Sequence, residues 1–244
     1  MPKGLESLST KEYPGRLIII GRDRTGRFDV IIYAITGRSL SSQARKLEHK
    51  GNAVWAKPTD EETLKEENRD LLLYPAILIS RGIAVSNGKQ TLDIKACFGK
   101  SHNPVEVLKC ALYKWNYEPD PPVYTPRISG CVLPGKKAAL SIIKRAEDGT
   151  SIKQFFDIPL IPGKGKLIST YAGENKTPLP PFEGMPVDIM INEEKAEDLA
   201  NSVYDALEPK AHKGDFRVAV ASIFAKDINA VGYDIFIINR AERM

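Results

Sequence analysis

Three arginines stand at the margins of two apolar runs. Arg16 follows Tyr13-Pro14-Gly15 and opens Leu17-Ile18-Ile19-Ile20-Gly21; Arg38 follows Tyr33-Ala34-Ile35-Thr36-Gly37 and precedes Ser39; Arg45 lies just beyond. A guanidinium is a planar fork of N–H donors that can meet a phosphate or carboxylate through two bonds at once. The grouping points to a small anionic ligand. A second cluster gathers Tyr117, Glu118, Asp120, Tyr124, Thr125 and Arg127 among Pro119, Pro121, Pro122 and Pro126. Proline stiffens the backbone beneath these groups and so pre-positions them, as a site requires. Two readings fit this block: a binding or catalytic corner, or a structural corner closed by an arginine–carboxylate pair.

Other candidates carry less. Gly163-Lys164-Gly165-Lys166 lacks the spacing of a phosphate loop and no helical pattern follows it, so it reads as a basic turn between strands. Asn87-Gly88 is a turn signal whose asparagine can also face a ligand. His49, His102 and His212 are scattered, and Cys97 with His102 has no second pair, so no metal is expected. The three cysteines, Cys97, Cys110 and Cys131, are odd in number and widely spaced. That argues against a disulfide framework and for buried free thiols in a reducing cytoplasm.

The elements that must position these residues are mostly strands. Runs rich in Val, Ile, Phe and Ala predict them over Arg16 to Gly21, Asp29 to Thr36, Pro75 to Ser80, Ile83 to Ser86, Arg127 to Leu133 and Ala138 to Arg145. Further strands are expected over Lys153 to Ile161, Lys166 to Tyr171, Phe216 to Lys226 and Gly232 to Asn239. Several are apolar on both faces, which predicts stacked sheets. Helical periodicity covers Glu193 to Leu207, ended by Pro209. A second helix is expected from Asn103 or Pro104 to Trp115, with Val105, Leu108, Ala111 and Leu112 inward, and a short third from Gln90 to Phe98. That is too few helices for a parallel βαβ fold. The mixed-sign acidic run from Asp60 to Asp70 reads as a solvated loop or short helix.

The 244 residues, 42% of them hydrophobic, suffice to bury a large core. A net charge of +4 is too small to indicate nucleic-acid binding. No apolar run approaches the roughly 18 residues of a membrane helix, and no secretory leader is read at the N-terminus. A single domain over residues 1–244 is expected.

The Tyr13 to Arg16 opening, Gly37-Arg38-Ser39 with Arg45, Val85-Ser86-Asn87-Gly88 and the Glu118 to Arg127 block share their order with one family. The chain resembles the archaeal-type inosine monophosphate (IMP) cyclohydrolases, their bacterial members included, most strongly from Tyr13 to Gly130. The resemblance implies an α+β fold: a four-layer α-β-β-α sandwich like that of the N-terminal nucleophile hydrolases. It implies none of their chemistry, because Pro2 follows Met1 and supplies no nucleophile. The implied activity is closure of 5-formamidoimidazole-4-carboxamide ribotide to IMP with loss of water, without metal, nucleotide or redox cofactor.

On this resemblance Arg16, Arg38 and Arg45 serve the phosphate and the oxyanion region, and Tyr74 donates to a formyl or carboxamide oxygen. Glu118 holds or deprotonates the carboxamide, Asn87 and Arg127 contact base or ribose, and Tyr13 lies on the substrate-binding side. Plainer roles compete: Tyr74 as a core phenol beside Pro75, and Arg127 as a structural partner of Asp120. The implied partners are a purine ribotide and further copies of the chain in a homo-oligomer, with no nucleic acid and no membrane. The stretch from Gly149 to Pro186 is longer than in compact archaeal members and reads as a loop over the site or a subunit contact. A nucleotide-binding homologue without turnover is the alternative of a different class.

Overall fold

Alternation along the first two strands sets the architecture. In β1 (Arg16–Arg22), Ile18 and Ile20 face one way and Leu17 and Ile19 the other, and every residue is buried. In β2 (Asp29–Thr36), Ile31, Tyr33 and Ile35 alternate likewise with Val30, Ile32 and Ala34. The register places Ile18 opposite Tyr33, so both strands send the same set to each face. A sheet apolar on both sides must be covered on both sides.

The computed structural model describes residues 4–60, 73–135, 137–208, 214–227 and 232–243. Pro2, most of the acidic run from Asp60 to Asp70, Pro209 and His212 lie outside them. The first sheet adds β10 (Lys164–Ser169), β11 (Val187–Met190), β12 (Arg217–Asp227) and β13 (Gly232–Asn239), in the order β11-β10-β1-β2-β12-β13. The second runs in chain order through β3 (Arg45–Lys50), β4 (Ala53–Pro58), β5 (Tyr74–Ile79), β6 (Ile83–Ser86), β7 (Arg127–Leu133), β8 (Lys137–Arg145) and β9 (Ser151–Pro159). Every pairing of these strands among the described residues is antiparallel.

The main core lies between the sheets, where Ile18, Ile20, Ile31 and Tyr33 meet Tyr74, Val85, Ile128 and Leu140. The outer face of the first sheet packs on the amphipathic helix α4 (Ala196–Ala206) through Leu199, Ala200 and Val203. The outer face of the second packs on α2 (Gln90–Ala96) and α3 (Pro104–Leu112). Asn103 caps α3 by accepting from the N–H groups of Val105 and Glu106, with Pro104 pre-set for the first turn. A one-turn helix, α1 (Leu40–Gln43), sits between β2 and β3. Helix, sheet, sheet and helices thus stack in that order; the expected α+β class is borne out, and the structure adds that the two sheets are antiparallel.

Three strands were not expected from the sequence. β3 reads Arg-Lys-Leu-Glu-His-Lys and turns only Arg45 and Leu47 fully inward, β4 ends in Pro58, and β11 is a four-residue edge. Two further details differ from expectation. In α3 Val107, not named among the inward residues, is fully buried with Leu108, Ala111 and Leu112, while Val105 packs partly buried against the same cluster as expected. Cys110 is exposed, while Cys97 and Cys131 are buried.

Candidate functional site

Antiparallel order brings distant residues together. Arg45, Tyr74 and Arg127 each open a strand of the second sheet. With every strand reversed relative to its neighbour, the starts of β3, β5 and β7 lie at the same end as the finish of β6, beyond which stands Asn87. Arg16 opens β1 at the corresponding end of the first sheet. The Thr125 hydroxyl, on the loop that carries Glu118, meets the Tyr171 hydroxyl at 2.9 Å, and the neighbouring Thr170 hydroxyl accepts from Arg16 N at 3.1 Å, which joins the two ends in one locus.

At this locus two phenols meet across the sandwich. Tyr33 from β2 and Tyr74 from β5 are fully buried, and their hydroxyls are 2.7 Å apart. Arg16 and Arg45 are buried beside them, and the Nε of Arg16 and Nη1 of Arg45 have no hydrogen-bond partner among the described residues. Arg45 is aimed by α1: Ser39 and Ser42 cap each other reciprocally, and the Ser42 carbonyl accepts from Arg45 Nε at 3.2 Å. Gly15 sets the approach of Arg16. Its φ is +74°, and a Cβ there would run into Thr170 and Tyr171.

Burial is the largest influence on Arg16, Arg45, Tyr33 and Tyr171. It opposes the charge of Arg16, but Tyr74, Glu118, Tyr33 and Tyr171 outweigh it and hold the pKa above its usual value. Arg45 is pulled down by burial and then by the like charge of Arg16. Tyr33 is pushed up by burial and then by Tyr74, and burial raises Tyr171 to about 12.

Glu118 lies on the loop between α3 and β7 and is buried. Its Oε1 accepts from Asn87 Nδ2 at 3.4 Å and lies 3.7 Å from Arg127 Nη1, two long contacts on one oxygen. Burial raises its pKa, with Arg16 and Arg127 opposing. Arg127 is itself lowered by burial, with Glu118 opposing. The Arg127 guanidinium stacks over Trp115 at 4.8 Å and donates to Asn116 O and Gln90 Oε1 at 2.9 and 3.2 Å. Asn87 accepts from Ile128 N and Gln90 Nε2 and donates to Pro126 O as well as Glu118. All four of its hydrogen-bonding positions are thereby occupied, which makes it an orienter of Glu118. A cavity of about 250 Å³ opens here, lined by Asn87, Gly88, Lys89, Trp115, Glu118, Pro119 and Arg127. A larger one, about 600 Å³, lies on the outer face of the second sheet by Trp55, Leu78 and Lys95, and has no carboxylate among its lining residues. Converging polar groups single out the smaller cavity.

Six of the eight residues expected at a site are therefore gathered: Arg16, Arg45, Tyr74, Asn87, Glu118 and Arg127. Tyr13 stacks on Tyr171 at 5.6 Å on the border of this group. Arg38 stands farther out, half-buried, with its guanidinium 5.7 Å over the Tyr13 ring and donating to Asn175 Oδ1 and Lys176 O. Asp120 is engaged by the N–H and hydroxyl of Thr125, at 2.7 and 2.5 Å, and Arg127 pairs with Glu118. Sequence reasoning missed Tyr33, Gln90, Trp115 and Tyr171. Tyr33 and Gln90 sit in a strand and a helix whose pattern explains them as core. The alternation of β2 against β5 is the signal that could have found Tyr33.

The layered fold brings a buried pair of guanidiniums, a phenol pair and a carboxylate together at one end. The chain belongs to the IMP cyclohydrolase-like protein family, which it matches over residues 13–227. No curated protein matches it significantly. No helix among the described residues is long and apolar enough to cross a membrane.

Proposed function

We propose that this protein is an IMP cyclohydrolase that closes 5-formamidoimidazole-4-carboxamide ribotide to IMP. Beside family membership, one observation carries the reading: Arg16 and Arg45 are buried with unpartnered guanidinium nitrogens next to the Tyr33–Tyr74 hydroxyls. A buried N–H without a partner is expensive unless a ligand supplies one. The layer order likewise supports likeness to the N-terminal nucleophile hydrolase sandwich.

In this reaction the carboxamide nitrogen attacks the formyl carbon, an oxyanion develops on the former formyl oxygen, and that oxygen leaves as water with two protons from nitrogen. Arg16, Arg45 and, from the rim, Arg38 take the phosphate and the developing oxyanion. Tyr74, supported by Tyr33, donates to the formyl or carboxamide oxygen. Glu118 holds or deprotonates the carboxamide; a carboxylate with a raised pKa is the stronger base at neutral pH. Arg127 over Trp115 meets base or ribose, and Asn87 keeps Glu118 in place.

The test is to mix purified protein with the formamido ribotide and follow IMP by ultraviolet absorbance. Glu118→Gln should lower turnover by roughly 10² with circular dichroism unchanged, and Arg38→Ala should raise KM more than it lowers kcat. IMP binding without any turnover by the unaltered protein would instead place it among non-catalytic nucleotide-binding homologues.

A further inference from the structure

Away from this locus, two thiols face each other. Cys97 is the C-cap of α2 and buried; Cys110 is third from the end of α3 and exposed. Their sulfurs are 3.2 Å apart. A disulfide is about 2.05 Å long, so closing the gap takes about 1.2 Å. The connection between them is ordered: Phe98 N and Lys100 N donate to the carbonyls of Lys95 and Cys97, and Ile94, Phe98, Val107 and Ala111 pack the helices into one apolar cluster.

We propose that Cys97 and Cys110 form a thiol–disulfide exchange site, which a low-molecular-weight disulfide of the glutathione type oxidises to an intramolecular bond stapling α2 to α3. Cys110 is the member solvent reaches. Its thiolate attacks one sulfur of the small disulfide, that S–S bond breaks, and one small thiolate leaves. Cys97 then gives up its proton to solvent and attacks the Cys110 sulfur, expelling the second small thiolate. Two protein thiols are oxidised and one small disulfide is reduced to two thiols. Burial and then the bond to Cys110 hold the Cys97 thiol above its ordinary pKa, with Lys100 drawing it down, which suits the resolving role. The proposal does not depend on the reaction assigned above, although α2 carries Gln90, partner of Arg127 and Asn87, at its other end.

The experiment treats the full chain with excess glutathione disulfide near the ordinary thiol pKa of about 8.5. It then blocks with iodoacetamide and maps the peptides by mass. The expected product is a Cys97–Cys110 linked peptide lighter by two hydrogens than the paired thiols, reversed by dithiothreitol, with Cys131 still reduced. Cys97→Ser should stop at a glutathione adduct on Cys110. A lasting adduct on Cys110 of the unaltered chain, or two thiols that remain fully alkylatable, would overturn the proposal.

Discussion

Glu118 receives both of its close contacts on a single oxygen, from Asn87 at 3.4 Å and Arg127 at 3.7 Å. Such loose contacts leave burial dominant, and its pKa rises above the usual 4.5. The folded protein therefore holds this proton more tightly than the unfolded chain. Stability from this group is full below the ordinary value and falls as pH rises from there through the raised one. Glu118→Gln should remove that fall, so the stability difference between variant and parent should change with pH across this window and be flat on either side. Denaturant melts at a series of pH values measure it. Tyr33→Phe deletes the 2.7 Å bond to Tyr74 without changing ring volume. We expect a loss of about 1 kcal/mol of stability and, if Tyr74 donates in the reaction, roughly tenfold in kcat. Unaltered kinetics would restrict Tyr33 to the core. The carboxylate and the arginines were legible in the sequence because charged groups beside apolar runs and prolines demand an explanation. Tyr33 was not, because a tyrosine within Ile-Ile-Tyr-Ala-Ile is fully accounted for by packing.

Among the elements, the starts of strands carry most of the site, so the turns that deliver them are constrained. Gly15 is the clearest case, with φ +74° and Thr170 and Tyr171 in the place of a side chain. Gly15→Ala should destabilise by about 2–3 kcal/mol and lower substrate affinity by displacing Arg16; thermal melts and KM report the two. Strands such as β2, β6, β7 and β13 were readable to the residue, since their Val and Ile content leaves no other assignment. β3 was not, because an edge strand needs only one apolar row and the pattern Arg45, Leu47 is too short to stand out among lysines; β4, though inside the sheet, is short and ends in Lys57-Pro58. For the same reason Arg45 was recognisable as a candidate while its placement by α1 was not. Helix α3 shows the opposite limit: Pro104 and Asn103 announced its start, but how deeply Val105 and Val107 were each buried depended on the sheet it met.

For the whole molecule, the inter-sheet core is the shared boundary of both halves. Leu140 is fully buried within it, across from the first sheet, so Leu140→Ala should cost about 2–5 kcal/mol. Both tryptophans, Trp55 and Trp115, belong to the second sheet and its helices, whereas circular dichroism reports every layer. If the core couples the sheets, fluorescence and dichroism should trace one coincident unfolding transition in the parent and the variant alike. Separated transitions would show that each sheet holds with its own helices. The two-sheet stack was legible from strands apolar on both faces. The strand order was not, because β10 to β13 return to flank β1 and β2 from far along the chain, and local pattern does not record such returns.

The phenol pair has one more consequence, visible in a count of hydrogens. Two hydroxyls joined by one bond use one of their two hydrogens between them, and the other points elsewhere. Arg16 and Arg45 are donors only, so neither can receive it. The locus thus offers a surplus of hydrogens and, apart from the Glu118 carboxylate, little to take them. On the proposed function we expect selectivity from that imbalance: a ligand bringing lone pairs should bind, and an analogue carrying an amine in place of the phosphate should bind far more weakly.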